Sequence, residues 1–133
     1  MTADIAARLL DSMPFARALG LRLDTATPGE VAGRLAWAPD RCTAGGVLHG
    51  GVLMTLGDSL GGVCAFLNLP AGATTATIES KTNFFRAVTG GEVRGVARPL
   101  HVGRSTIVVQ TDLYDERDRR VAQVTQTQAV RQA

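Results

Sequence analysis

His49-Gly50-Gly51-Val52-Leu53-Met54-Thr55-Leu56-Gly57-Asp58-Ser59-Leu60-Gly61-Gly62 is the stretch on which the reading of this 133-residue chain turns. It sets one carboxylate, Asp58, inside an apolar run. Val52, Leu53, Leu56, Leu60, Val63, Cys64 and Leu67 recur at spacings of three and four, so the pattern predicts a long buried helix opening at Gly50 or Gly51. An ionised Asp in apolar surroundings costs several kcal/mol unless it is paired or hydrogen-bonded. Asp58 is therefore satisfied by a neighbour, turned to a solvated side, or kept for chemistry.

The start of the same helix supplies a second group. The first N–H groups of a helix have no partner within it and carry partial positive charge. Glycine lets another group approach the backbone closely, so Gly50 and Gly51 present donors suited to a carbonyl oxygen gaining charge. Ser, Thr, Asp and Asn are absent from the cap position, where Leu48 or His49 stands, so these donors are expected to be poorly capped. Gly50 and Asp58 lie eight positions apart, which at helical rise is about 12 Å, too far for one helix to offer both to one small reacting centre. Two copies of the helix antiparallel across a two-fold axis would bring Gly50 of one to Asp58 of the other. Gly57, Gly61 and Gly62 each weaken a helix interior by about 1 kcal/mol, and close packing against a sheet or a partner is the expected return.

His49-Gly50-Gly51 followed by Leu56-Gly57-Asp58-Ser59 resembles the HGG-x4-LADS motif of hotdog-fold acyl-CoA thioesterases of the phenylacetate-degradation and 4-hydroxybenzoyl-CoA type. The likeness continues through Thr77-Ile78-Glu79-Ser80-Lys81-Thr82-Asn83-Phe84-Phe85-Arg86-Ala87 and Gly103-Arg104-Ser105-Thr106. It implies an α+β hotdog fold, an antiparallel sheet wrapped around one central helix. It also implies hydrolysis of an acyl-CoA, aryl or arylacetyl groups included, in a homo-oligomer whose minimal active unit is a dimer and whose larger assembly is a tetramer. No cofactor is implied, since coenzyme A belongs to the substrate. The residue matching Asp58 is the family's nucleophile or general base, and the one matching Gly50 supplies a polarising N–H from the other subunit. Thr77 matches a Ser or Thr that helps hold water or thioester. One position departs from the pattern. Six residues before the histidine an Asn or Gln is usual, and here Thr43 offers a hydroxyl to a carbonyl or water instead.

Composition agrees with a single domain over residues 1–133. With 45% hydrophobic and 20% charged residues the chain can bury one sizeable core without disulfides or metal. Cys42 and Cys64 form no C-x-x-C pair and are expected to be reduced thiols. The two histidines have no Cys or acid at ligand spacing, so no metal is expected. There is no basic leader followed by an apolar run, nor an uninterrupted stretch of about 18 apolar residues, which makes the cytoplasm the default location and a membrane an unexpected partner. A net charge of +2 disfavours nucleic acid as a main partner.

Ile5, Leu9, Leu10 and Met13 mark a short amphipathic N-terminal helix stopping near Pro14. Strand patterns run over 21–25, 31–37, 75–85, 92–100, 106–114 and 121–130, with turn signals between them. Lys81, Arg86, Arg94, Arg98, His101, Arg104 and Arg131 concentrate positive charge in the second half, where the resemblance places coenzyme A. Arg104-Ser105-Thr106 combines a cation with backbone and hydroxyl donors and is the best phosphate candidate, whereas Glu79 and Lys81, two apart on one strand face, are expected to pair with each other.

The reaction this suggests is thioester hydrolysis. The Gly50 N–H, with Gly51 beside it, polarises the acyl carbonyl, and Asp58 of the facing subunit either attacks the carbon or takes a proton from the attacking water. His49 orients the loop or the thioester sulfur, or serves structure alone. Two other readings stay open: an enoyl-thioester hydratase or dehydratase, and a non-catalytic acyl-CoA-binding module.

Overall fold

The computed structural model describes residues 2–132. In chain order its elements are helices α1 (Ala3–Asp11) and α2 (Pro14–Ala18), strands β1 (Arg22–Thr27) and β2 (Glu30–Ala36), helix α3 (Gly50–Leu67), and strands β3 (Thr74–Phe84), β4 (Glu92–Val102), β5 (Thr106–Tyr114) and β6 (Arg120–Arg131). The strands form one sheet in the order β1-β2-β4-β5-β6-β3, with every neighbouring pair antiparallel. This is the α+β hotdog arrangement expected from the sequence. Pro14 does more than stop α1: it occupies the first turn of a second short helix, where its fixed φ suits helix and its missing N–H costs nothing.

α3 lies against one face of the sheet because its apolar stripe has nowhere else to go. Leu56, Leu60, Cys64 and Ala65 are fully buried, alongside Val31, Leu35, Val93, Val109 and Leu113 from the strands. One contact fixes the seating of the helix. Gly33 and Gly95 face each other across β2 and β4, and a Cβ at either would stand 2.8 and 2.5 Å from the methyl groups of Leu60. The two glycines make a hollow, and Leu60 fills it. On the opposite flank Gly57 and Gly61 let the helix approach β6, since a Cβ at Gly57 would meet Val124 at 2.5 Å and one at Gly61 would collide with the Gln126 amide. Gly62 differs from that expectation, because no atom lies within 4 Å of where its Cβ would be and it borders open cavities instead.

The helix is closed at its C-terminus by Asn68, whose Nδ2 donates to the Cys64 and Pro28 carbonyls, both at 2.8 Å. Over its 18 residues the mean hydropathy of α3 is 1.4, so the helix is long and apolar enough by composition to cross a bilayer although Asp58 interrupts its apolar run. Its partners in the sheet account for that hydropathy. β3 is an edge strand of 11 residues, bonded to β6 on one side only and exposed along most of its length.

Candidate active site

The His-Gly-Gly segment builds its own helix start. His49 occupies the cap position, and its Nδ1 accepts the Gly51 N–H at 2.8 Å, so the proton of the neutral ring sits on Nε2. The donors are thus better capped than the absence of Ser, Thr, Asp or Asn suggested. Gly51 has to be glycine, because a Cβ there would lie 2.9 Å from that same Nδ1. Its N–H, read from the sequence as a substrate donor, is already engaged. The Val52 N–H bonds to the His49 carbonyl at 2.9 Å, which leaves Gly50 as the residue of the first turn whose N–H has no partner among the described residues.

Gly50 opens on a cavity of about 410 Å³ shared with Thr43, Phe84, Phe85 and Arg86. The loop before α3 is drawn back by the Cys42–Leu48 bridge and by Thr43 N–H donating to the Val47 carbonyl at 2.8 Å, and this sets Thr43 beside the helix start. The Phe84 ring closes over Gly50, 3.2 Å from where a Cβ would stand. Glycine here serves close approach.

Asp58, two turns along, is exposed on the single chain rather than sunk in the core, and its Oδ1 accepts from Gln126 Nε2 at 3.2 Å. It borders two cavities, one of about 490 Å³ with Thr75, Thr77 and Gln128, the other of about 370 Å³ with Gly51, Thr55 and Ser80. Neither includes Gly50. Thr77 accepts from Gln128 Nε2 at 2.9 Å, so its own hydroxyl proton is free to point into the cavity, while the Thr75 hydroxyl donates to the Ala129 carbonyl at 2.8 Å with the Gln128 amide oxygen 3.2 Å away.

A β-bulge explains how Thr77 and Ser80, three apart, both reach Asp58. The β3–β6 register shifts between Thr77 and Glu79, pairing Thr77 with Gln128 and Ser80 with Gln126. The extra residue, Ile78, reverses the alternation, and Glu79 turns to Thr127, whose hydroxyl donates to it at 2.7 Å. Among the described residues Glu79 forms no ion pair with Lys81, contrary to the pairing read from the sequence.

The structure does not bring Arg104, Ser105 and Thr106 into these cavities. They form the β4–β5 turn, held by Gly103 N–H to the Thr106 carbonyl at 2.8 Å and by Val130 N–H to the Ser105 carbonyl at 2.9 Å. Arg94 and Arg98 are engaged with Asp118 at 3.2 Å and Glu30 at 2.6 Å, so part of the positive charge that the sequence concentrates in the second half is already paired. Arg86 alone of that set borders the Gly50 cavity. Sequence reading missed Ser80, Gln126 and Gln128. The two glutamines left a signal: along Val121-Ala122-Gln123-Val124-Thr125-Gln126-Thr127-Gln128 the inward positions should be apolar, and two of them carry amides.

A family model described as thioesterase superfamily matches residues 45–122, which hold α3 with Gly50 and Asp58 and the bulged strand β3. The chain belongs to this thioesterase superfamily. Among similar proteins, the proofreading thioesterase EntH of Cronobacter sakazakii is 39% identical over 75 residues, 56% of this chain and 55% of that one. The 1,4-dihydroxy-2-naphthoyl-CoA hydrolase of Escherichia coli is 36% identical over 74 residues, 56% of this chain and 54% of its own length. The chain thus aligns with about half the length of these curated relatives. A solved thioesterase family protein from Silicibacter pomeroyi superposes with a TM-score of 0.88 at 30% identity, covering 96% of this chain and 98% of that one. Among the described residues of this superfamily member no three His, Cys, Asp or Glu side chains converge on a point.

Proposed function

We propose that the chain hydrolyses acyl-CoA thioesters, aryl and arylacetyl groups among them, in an active unit of two copies. The observation that carries this reading is the separation of complementary groups: an unpartnered Gly50 N–H beside one cavity, and a carboxylate beside others two turns along the same helix. Each cavity holds half of what acyl transfer needs, a donor for the developing oxyanion or a base. The free edge of β3 supports the assembly. Its unpaired N–H and C=O groups are a template for another strand, and Ile78 and Phe84 on it are 60% and 50% exposed. Antiparallel pairing with β3 of a second copy would continue the sheet and lay the helices antiparallel, carrying Gly50 toward Asp58 of the partner subunit. Two such dimers make the larger tetramer. The names of the relatives above, a thioesterase and a CoA-thioester hydrolase, support the reaction class.

In this mechanism the Gly50 N–H, at the positive end of α3, polarises the thioester carbonyl. Asp58 of the partner subunit either attacks the carbon, giving an acyl-aspartate that water then hydrolyses, or takes a proton from the water that attacks. By either route the C–S bond breaks and coenzyme A leaves as a thiolate that takes up a proton, while the Thr77 hydroxyl hydrogen-bonds to the water or to the substrate. Thr43 lines the carbonyl side, His49 holds the helix start, and the coenzyme A phosphates are taken by Arg86 beside the Gly50 cavity and by Arg104-Ser105-Thr106 at the β4–β5 turn, outside the cavities. The cytoplasm, where acyl-CoA is made and used, is the matching location.

The test is turnover of acetyl-, hexanoyl-, benzoyl- and phenylacetyl-CoA with a thiol-detecting reagent, followed by complementation between Asp58→Asn and Gly50→Pro chains, each inactive alone. In a mixed dimer one site holds both lesions and the other holds none. Random mixing at equal amounts should therefore restore about a quarter of wild-type activity per chain. No recovery, with mixed dimers demonstrated by mass, would place the site within one subunit.

A further inference from the structure

Gln126 is fully buried, yet its amide is only half satisfied. Nε2 donates to Asp58 Oδ1 at 3.2 Å, and Oε1, pressed against Gly61, has no partner. The orientation is chemically forced, because an ionised carboxylate only accepts, so the NH₂ end must face Asp58. Burying an amide with an orphaned oxygen weakens the fold relative to an apolar side chain of similar size. The glycine at 61, itself a poor helix former, is what makes room for the amide. Two unfavourable choices, on separate elements, converge on one contact with Asp58.

We propose that Gln126 is a positioning residue: it pins Oδ1 of Asp58 and thereby presents Oδ2 as the oxygen that acts on the thioester or its water. The inference rests on the role given to Asp58 above. An exposed Asp on a helix samples several rotamers, and holding one oxygen from below selects the one that faces the cavities shared with Thr77 and Ser80. β6 is well suited to this task, since Gln128, two residues on and 2% exposed, holds Thr77 by the same kind of bond. Neither amide borders the Gly50 cavity, so the device acts on the carboxylate half of the site alone.

The experiment is a double-mutant cycle on the full chain with Gln126→Met, Asp58→Asn and the pair, assayed on whichever acyl-CoA of the panel turns over fastest. Met keeps the length of Gln126 and removes both the donor and the orphaned acceptor. The expected result is a Tm at or above wild type, KM within about twofold, and kcat lower by about ten- to a hundredfold. On the Asp58→Asn background the same change should alter the residual rate less than about twofold, because the group it positions is gone. Wild-type kcat in Gln126→Met, or a loss of equal size on both backgrounds, overturns the inference. A lowered Tm with unchanged kcat overturns it as well, since that is the signature of a merely structural amide. A residual rate at the detection floor leaves the split between Tm and kcat to decide. If the Met variant does not fold, Gln126→Asn, which draws the donor back by one methylene, should show the same fall in kcat, and wild-type kcat there is equally fatal. Full activity in Asp58→Asn would sink the reading of the site itself, whereas an inactive Asp58→Asn beside a fully active Gln126→Met sinks only the inference about Gln126.

Discussion

The two flanks of α3 meet the sheet through the same device and use it for opposite ends. Toward β2 and β4, Gly33 and Gly95 give up their side chains so that Leu60 can sink into the sheet, and every atom at the contact is apolar or backbone. Toward β6 the helix gives up side chains instead, at Gly57 and Gly61, and what enters the space on the Gly61 side is a glutamine amide reaching Asp58. One flank converts missing Cβ atoms into packing density. The other converts them into a polar contact that packing alone would never select. Stability and chemistry are therefore separable along a single helix, and substitutions on each flank should fail in different ways.

The largest separation should come from Asp58→Asn. Asn keeps an oxygen that can accept from Gln126 and removes the basic, nucleophilic carboxylate. We expect kcat to fall at least about 10²-fold, with the melting temperature essentially unchanged because the residue is exposed. Near-normal kcat, measured by thiol release, would mean that the polar flank does not carry the chemistry.

Leu60→Ala should do the reverse. Leu60 is fully buried in a hollow framed by backbone, which cannot collapse around a smaller side chain, so the loss of stability belongs in the range of about 2–5 kcal/mol. Urea denaturation measures it, and kcat per folded molecule should stay within about twofold of wild type. A strong fall in kcat at full folding would show that the two flanks are mechanically coupled and that the separation is only apparent.

The same contrast explains what could be read in the chain beforehand. Periodicity placed the opening of α3 at Gly50 or Gly51 and its apolar stripe as far as Leu67, and it gave β5 over its full span, because both patterns are local and long. The partners of Leu60 were out of reach, since Gly33 and Gly95 meet only through a strand register fixed by the whole sheet. On the polar flank Asp58 stood out as a charge in an apolar run. Whether it was paired, solvated or kept for chemistry stayed open, because the side of the helix it occupies depends on where the sheet ends; the structure leaves it exposed with Gln126 donating to it. The bulge at Ile78 was invisible: strict alternation puts Thr77, Glu79 and Lys81 on one face, and a single extra residue puts Thr77 with Ser80. The partners of Arg94 and Arg98 were hidden in the same way, since only the register brings Asp118 and Glu30 beside them.

Cys64 gives the finest probe of the apolar flank. It lies on α3 one turn beyond Leu60 with no exposed surface, its Sγ 4.0 Å from the Pro28 carbonyl, and burial pushes the pKa of its thiol up from the ordinary thiol range to about 11. The folded state therefore holds the proton to higher pH than the unfolded chain does. Stability from this thiol is complete below pH 9 and drains away as pH rises toward 11, because deprotonation favours the unfolded chain. By pH 10 the loss should reach about 1 kcal/mol, read as the difference in slope of stability against pH between the wild type and Cys64→Ala. Alkylation offers an independent reading: half-buried Cys42 should react with a thiol reagent in the native protein well before Cys64, whose labelling should wait for opening of the helix from the sheet. Equal labelling rates, or parallel pH slopes, would mean that α3 loosens on its apolar flank without global unfolding, and the rigid seating that the Leu60 hollow implies would have to be given up.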